Sequence, residues 1–367
     1  MVYRVIGLMS GSSLDGLDIA FTEFQEMSGR WTYKIRNASC YPYDPVWIHK
    51  LKTPGTLNAL EYLLLHTSYG NYLGQQVNRF IDENHLHYQV QLVVSHGHTA
   101  FHVPSHKMTA QLGDGAAIAA VTGINTVTDL RSLDIALGGQ GAPIVPIGEK
   151  LMLNNYHLFL NIGGIANISF TGDEKSIAFD VCPANRVLNL LAIEAGKTYD
   201  DEGQIAEKGT VNNYLLNLLN ELEYYQLPYP KSLSNDFGTD VVFPLIMQGN
   251  YGIAVALRTY VEHICQQVSK ALVVLNSLYI QPGWNRKLLV TGGGAHNTFL
   301  IGQMRKALYS QQVEVIVPDK ELVDFKEAMV MGLIGLLRWR EENNSLSSVT
   351  GASRDSIGGA VWIGQEG

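Results

Sequence analysis

Two segments of this 367-residue chain share one grammar: an apolar run, a short turn built on glycine, and a second apolar run. VIGLMSGSSLDGLDIAF stands at the N-terminus and LFLNIGGIANISF near the middle. Apolar runs of this length bounded by Gly and Ser read as strands, and the turn between them as a hairpin. The same device at the head of each half is the mark of a duplicated unit. It points to two lobes of related plan, and single cores do stop growing below this length.

The intervening sequence fills in an α/β pattern. YRVIGLM, LDIAFTEF, RWTYKIRNASCYPY and VQLVVSHG read as strands, and 57–83 as a helix in which Leu60, Leu63, Leu64, Tyr72, Leu73, Val77 and Phe80 recur at near-helical spacing. LDIALGGQGAPIVPIGEKLM, rich in Gly and Pro, suits a crossing between lobes. The second half opens on strands through HLFLNIGGIANISFTG and KSIAFDVCP. Helical stretches at 210–223 and 252–279, the strand and turn RKLLVTGGGAHN, the helix KEAMVMGLIGLLRWREEN and a polar tail follow.

A formal charge of −8 excludes a general nucleic-acid surface, which needs a concentrated basic face. Cys40, Cys182 and Cys265 are odd in number and scattered, so they suit a reducing compartment rather than a disulfide scaffold. With no signal core at the N-terminus and no apolar run of membrane-spanning length, the expected location is the cytoplasm.

Several motifs carry chemistry, each with a plainer reading beside it. In SGSSLDG, the N–H groups and hydroxyls of Gly11, Ser12 and Ser13 suit a phosphate and Asp15 a metal ion or its water; a polar hairpin turn serves equally. Gly163 and Gly164 in NIGGIANIS repeat the device, which favours phosphate. Gly292, Gly293 and Gly294 form a strand-to-helix turn where a nucleotide can approach the backbone, though neither GxGxxG nor GxxxxGK[ST] is present. Asp180, at the end of an apolar strand, reads as a general base or a turn-capping acid. His96, His98, His102 and His106 suit a polar, sugar-holding pocket better than zinc, because no HExxH or carboxylate cluster accompanies them. Arg131 can grip a carboxylate or phosphate, or simply pair with Asp129 or Asp134. Lys231 lies in a Pro-flanked loop, and Asp324 and Glu327 sit where helix-start capping explains them.

Taken in series, GLMSGSSLDGLDIA, SHGHTAFH, QLGDGAAIA, TDLRSLDIALGGQGAPIVP, NIGGIANIS, FDVCPAN, YPKS, TGGGAHN, KEAMVMG and SVTGA resemble the anhydro-N-acetylmuramic acid kinases, nearly end to end. The resemblance implies a two-lobed actin-like ATPase (ribonuclease H-like) α/β fold with ATP in the interlobe cleft. The lobes expected are 1–135 plus 345–367, and 136–344. It implies an enzyme that hydrolytically opens 1,6-anhydro-N-acetylmuramic acid and phosphorylates O6, using ATP and Mg²⁺; the alternatives are a kinase for a different (amino)sugar and an actin-like nucleotide-binding module without sugar chemistry. Asp180 takes the role of base and Glu327 helps to place the water. Gly11, Ser12, Ser13, Leu14, Asp15, Gly16, Leu17 and Asp18 match the ATP stretch, with Asp15 toward Mg²⁺. Gly163, Gly164 and Gly292 to Gly294 complete the nucleotide site, and His96, Asp129 and Arg131 fall near the sugar. A homodimer is implied too. The chain departs from the family where Val181-Cys182-Pro183-Ala184 follows the catalytic Asp in place of Thr-Gly-Pro-Gly, where His98 replaces Gln, and where the Arg after YPKSLSN is missing.

Overall fold

The computed structural model describes residues 1–364 apart from Ser12, 173–174, Pro230, Asn235 and 279–285. Strands β1 (Val2–Ser10), β2 (Gly16–Met27), β3 (Arg30–Pro42), β4 (Leu92–Ser95), β5 (His98–Val103), β6 (Met108–Leu112) and β7 (Thr126–Thr128) occupy the first part. Then come β8 (Leu158–Ile162), β9 (Ile165–Thr171), β10 (Ser176–Pro183), β11 (Lys287–Thr291) and β12 (Glu314–Ile316), and β13 (Ala360–Trp362) closes the chain.

The chain divides into two compact units, Met1–Asn154 with Phe325–Gly367, and Asn155–Asp324. In the first, the sheet runs β13-β7-β4-β1-β2-β3. An antiparallel meander β1–β2–β3 is extended from β1 by the parallel strands β4 and β7. In the second, the order β10-β9-β8-β11-β12 repeats that plan: an antiparallel meander of β8, β9 and β10, then parallel β11 and β12. The duplicated hairpins are thus β1–β2 and β8–β9, each at the centre of its sheet.

Burial explains the strand sequences. β1 is covered on both faces, so Val5, Ile6 and Leu8 are all buried in succession instead of alternating. One face packs on the helix Ala59–Glu83 through Tyr69, Leu73, Val77 and Phe80. That helix starts at a capping box of Asn58 and Glu61. The other face meets the helix Lys320–Trp339 so closely that a Cβ on Gly7 would lie 1.9 Å from the Ala328 carbonyl oxygen. In the second unit, Leu158, Leu160, Ile168 and Phe170 pack with Leu257, Val261, Ile264 and Val268 of the helix Ile253–Leu278.

The unit boundaries differ from those expected at 135 and 345, and packing gives the reason. The helix Pro146–Met152 and the later turns of Lys320–Trp339 belong to the first unit. Lys326 and Glu149 form a fully buried ion pair at 2.8 Å, and a Cβ on Gly148 would meet Val330 at 2.6 Å. The polar tail is part of this unit as well: β13 pairs with β7, and Ser345 and Thr350 donate to buried Asp134 at 2.9 and 2.7 Å. Within 210–223 the α-helix covers only Asn213–Asn220, capped by the Asn212 side chain. Among the described residues no helix is long and apolar enough to cross a membrane.

Candidate active site

In the second unit, Asp180 stands on edge strand β10, immediately before a bulge between Asp180 and Cys182. Its backbone N–H donates to the Lys231 carbonyl at 2.9 Å, its carbonyl accepts from the Tyr224 hydroxyl at 2.7 Å, and its Oδ2 accepts from the Leu233 N–H at 2.8 Å. Among the described residues Oδ1 has no donor. Burial raises the carboxyl from 3.8 to about 6, with the Leu233 hydrogen bond opposing the shift. A carboxylate so placed titrates close to neutrality, as a general base requires.

The Gly163–Gly164 turn meets the chain just after the end of β10. Their carbonyls accept from the N–H groups of Asn185 and Ala184, at 3.0 and 2.8 Å, at the start of the helix Asn185–Glu194. Neither glycine is demanded by internal packing, since a Cβ on either would make only ordinary contacts, 3.6 Å or longer. The triple glycine divides differently. Gly292 has φ +81°, and a Cβ on Gly294 would lie 2.2 Å from Ile162 Cγ2, so the outer two are needed for packing on the end of β8. Gly293 alone is open, its nearest neighbour being Asn185 Nδ2 at 3.5 Å. Nearby, the side chain of Asp324 is paired with His296 at 2.5 Å and with Lys320.

In the first unit the β1–β2 turn sorts its residues in the same way. Gly16 is required where β2 crosses β3, for a Cβ would meet Cys40 Sγ at 2.6 Å. Leu14 and Leu17 are core residues. Gly11 is unobstructed, and exposed Asp15 accepts at Oδ1 from Ser13 Oγ at 2.5 Å and from the Gly16 N–H at 3.2 Å. Asp18, half-buried, lies opposite Met9 on the β1 side and Cys40 on the β3 side. Ser12 lies outside the described residues. A single exposed carboxylate beside a turn suits Mg²⁺, which keeps most of its water and takes one or two carboxylates plus phosphate. Among the described residues no three His, Cys, Asp or Glu side chains converge as a metal cluster.

The histidine run disperses onto separate partners. Arg131 Nε donates to buried His96 Nε2 at 2.8 Å, so Nδ1 carries the ring proton and donates to the Gly97 carbonyl at 2.9 Å. Burial first and the Arg131 charge second push His96 down to about 3, which keeps it neutral. His98 accepts from Ser10 Oγ at 3.1 Å, and Ser10 accepts from the Tyr43 hydroxyl at 2.8 Å, itself 2.6 Å from that of Tyr69. His102 pairs with Thr109 and His106 with Ser105.

Arg131 also donates to the Gly141 carbonyl at 2.9 Å and makes no ion pair with Asp129 or Asp134. Burial lowers it to about 10 against the opposing charges of Glu327 and Asp134. Asp129 is instead an exposed acceptor for Ser132 Oγ, with φ 56°. Glu327 is not a helix-start acid: the helix begins at Lys320 with Asp319 accepting from the Leu322 N–H at 2.9 Å, which puts Glu327 two turns in, half-buried. The same shift removes Asp324 from a capping role.

Sequence reasoning gave no role to Tyr224, Tyr225 and Tyr229, which surround Lys231, nor did it find the Lys326–Glu149 pair. The signal for the first was present, three tyrosines within seven residues of a Pro-flanked lysine. The second joins residues 177 apart and leaves no local trace.

Two sheets of one plan, each containing a glycine hairpin, with an acid on the third strand of the second, define the actin-like, ribonuclease H-like α/β fold. A profile of the anhydro-N-acetylmuramic acid kinases matches residues 3–364. The chain belongs to that family. A relative from Hydrogenovibrio crunogenus, named anhydro-N-acetylmuramic acid kinase, is 31% identical over 369 residues, 97% of each chain. A second of that name, from Aliivibrio fischeri, is 32% identical over 376 residues, 98% of this chain and 99% of the other. Among solved structures, the activator of the 2-hydroxyisocaproyl-CoA dehydratase from Clostridium difficile with bound ADPNP is similar over 92% of this chain and 96% of that one, at 14% identity and a TM-score of 0.45.

Proposed function

We propose that the chain uses ATP to phosphorylate 1,6-anhydro-N-acetylmuramic acid at O6 while hydrolysing its anhydro ring, giving N-acetylmuramic acid 6-phosphate and ADP for cell-wall recycling. The observation that carries this reading, beyond family membership, is the Asp180 carboxylate: fixed at Oδ2, without a donor at Oδ1 among the described residues, and raised to about 6. Asp180 takes a proton from water as that water bonds to the anomeric carbon. The C1–O6 bond breaks, and O6 bonds to the γ-phosphorus as the ADP oxygen leaves. The anhydro oxygen is released as the nucleophile, so the sugar hydroxyl needs no base of its own.

Gly11, Gly163, Gly164 and Gly293, the glycines of these three turns that internal packing leaves unexplained, allow phosphate and nucleotide to approach the backbone. Asp15, with Asp18 behind it on β2, holds Mg²⁺ directly or through water; the ion would neutralise charge on the transferred phosphoryl group. Glu327 orients the attacking water. Arg131, braced by His96 and Gly141, presents the rest of its guanidinium to the sugar, with Asp129 at the edge of that site. Cytoplasmic location and a homodimer complete the proposal, the latter read by sedimentation.

Mass analysis of the product made from the anhydro sugar and ATP in ¹⁸O-labelled water tests it. One ¹⁸O atom in the phosphorylated sugar is expected. An unlabelled sugar phosphate, or phosphorylation of ordinary N-acetylmuramic acid alone, would overturn it in favour of a conventional sugar kinase.

A further inference from the structure

We propose that Lys231, held in a cage of three tyrosine rings, is a positioning residue for the Asp180 carboxylate. The inference rests on the reading of Asp180 as the base.

The Lys231 side chain is buried, with its ammonium 4.4 Å from the ring centre of Tyr224, 4.6 Å from that of Tyr229 and 5.7 Å from that of Tyr225. It donates to the Tyr224 carbonyl at 2.9 Å and, among the described residues, pairs with no carboxylate. Burying an ammonium without a counter-ion is costly, and a loop that only had to turn would leave its lysine in water. Three aromatic faces offset that cost, each attracting the cation through its quadrupole. The cage is therefore a built feature, and its product is a closed segment: the bond from Nζ to Tyr224 ties residue 231 back to residue 224.

That segment holds Asp180. Among the described residues β10 is an edge strand, so its outward N–H has no neighbouring strand to bond. The Lys231 carbonyl takes that N–H, the Leu233 N–H takes Oδ2 and the Tyr224 hydroxyl takes the Asp180 carbonyl. Three atoms of the base are thus fixed by one stretch, and Lys231 closes it. The lysine reaches Asp180 through its backbone and through Tyr224, which is why it positions the base without taking part in the reaction.

The other titratable groups facing Asp180 are the Tyr224 hydroxyl and the Cys182 thiol, both raised well above their ordinary values by burial, so neither ionises between pH 5 and 8. Lys231 itself is lowered by burial first and by Lys270 second. A carboxyl titration in that window therefore reports Asp180.

The test follows that titration by ¹³C NMR of labelled aspartate, assigned with Asp180→Asn, together with steady-state kinetics. In Lys231→Met the Asp180 midpoint is expected to move up from about 6, since the Leu233 donor, which opposes the upward shift, is no longer held. kcat should fall roughly 10- to 100-fold, the scale of a small displacement of a reacting group, while the KM for ATP stays within about two-fold. Lys231→Arg keeps the cation over the rings and should restore most of both. Tyr229→Phe should behave as the parent and Tyr229→Leu should shift both readouts in the direction of Lys231→Met. An unmoved midpoint and kcat in Lys231→Met overturn the inference. If that variant does not fold, identical behaviour of Tyr229→Leu and Tyr229→Phe overturns it instead. Full activity in Asp180→Asn would remove the base assignment, yet the NMR midpoints would still decide whether Lys231 positions the carboxylate.

Discussion

Replacing Asp180 by Asn separates what the carboxyl does for catalysis from what its burial does to stability. In the folded chain the group titrates at about 6 against an ordinary 3.8. The folded state therefore holds a proton between those values that the unfolded state has released, so the contribution of Asp180 to stability is fully present below the unfolded value and is lost as pH rises through about 6. A displacement of this size corresponds to about 3 kcal/mol in all, of which about half falls between pH 5 and 8. The Asn variant lacks the group. Its stability relative to the parent should accordingly improve by about 1.5 kcal/mol from pH 5 to pH 8, whatever constant offset the amide introduces at the Leu233 N–H. Urea denaturation of both proteins across that range, read by circular dichroism at the transition of the second unit, measures the difference. As the proposed base, the same carboxyl should set the acid limb of kcat/KM in the parent, with activity falling as pH drops through about 6, and Asn should lower kcat roughly 10²- to 10⁴-fold. A stability difference that is flat with pH would refute the burial argument. An active Asn variant would refute the catalytic one.

Other substitutions test the remaining parts. Gly294→Ala should destabilise the second unit measurably in thermal melts, because its Cβ meets Ile162 at 2.2 Å, whereas Gly293→Ala should fold normally and raise the KM for ATP. Equal effects on folding would undo the distinction between packing and open glycines. His98→Gln should melt close to the parent, since an amide can accept from Ser10 as the ring does, while His98→Leu should lose about 1–3 kcal/mol by leaving a buried hydroxyl without its acceptor. Lys326→Met should cost about 3–5 kcal/mol by removing the cation from the buried Glu149 carboxylate, and adding Glu149→Leu should recover much of it. A double variant no more stable than the single one would show that the pair is not the source of the loss.

The duplicated plan was legible because it is written locally. Each hairpin carries its strands and its turn within one continuous stretch, 2–27 and 158–171, and strand ends with glycine or an acid mark where chemistry can sit. The identity of Asp180 as a candidate could be read this way. The environment that raises it could not: the Tyr224 to Leu233 segment lies far along the chain from β10, and only the fold sets it against that edge. The limits of the compact units are hard to read locally for a related reason. Gly and Pro in LDIALGGQGAPIVP signal a crossing, but Pro146–Met152 still belongs to the first unit, held there by a lysine from the helix Lys320–Trp339.

The glycines show most clearly what structure adds to such a reading. A run of Gly is ambiguous in sequence, since close packing and close ligand approach both exclude a Cβ. The structure separates the two causes residue by residue: Gly7, Gly16, Gly292 and Gly294 are forced by neighbours of the same unit, whereas Gly11, Gly163, Gly164 and Gly293 are not. Packing thus leaves unexplained one glycine of the first hairpin turn, both of the second, and the middle of the triple run. On the proposed function, those are the positions at which a phosphate or a nucleotide would supply the missing neighbour.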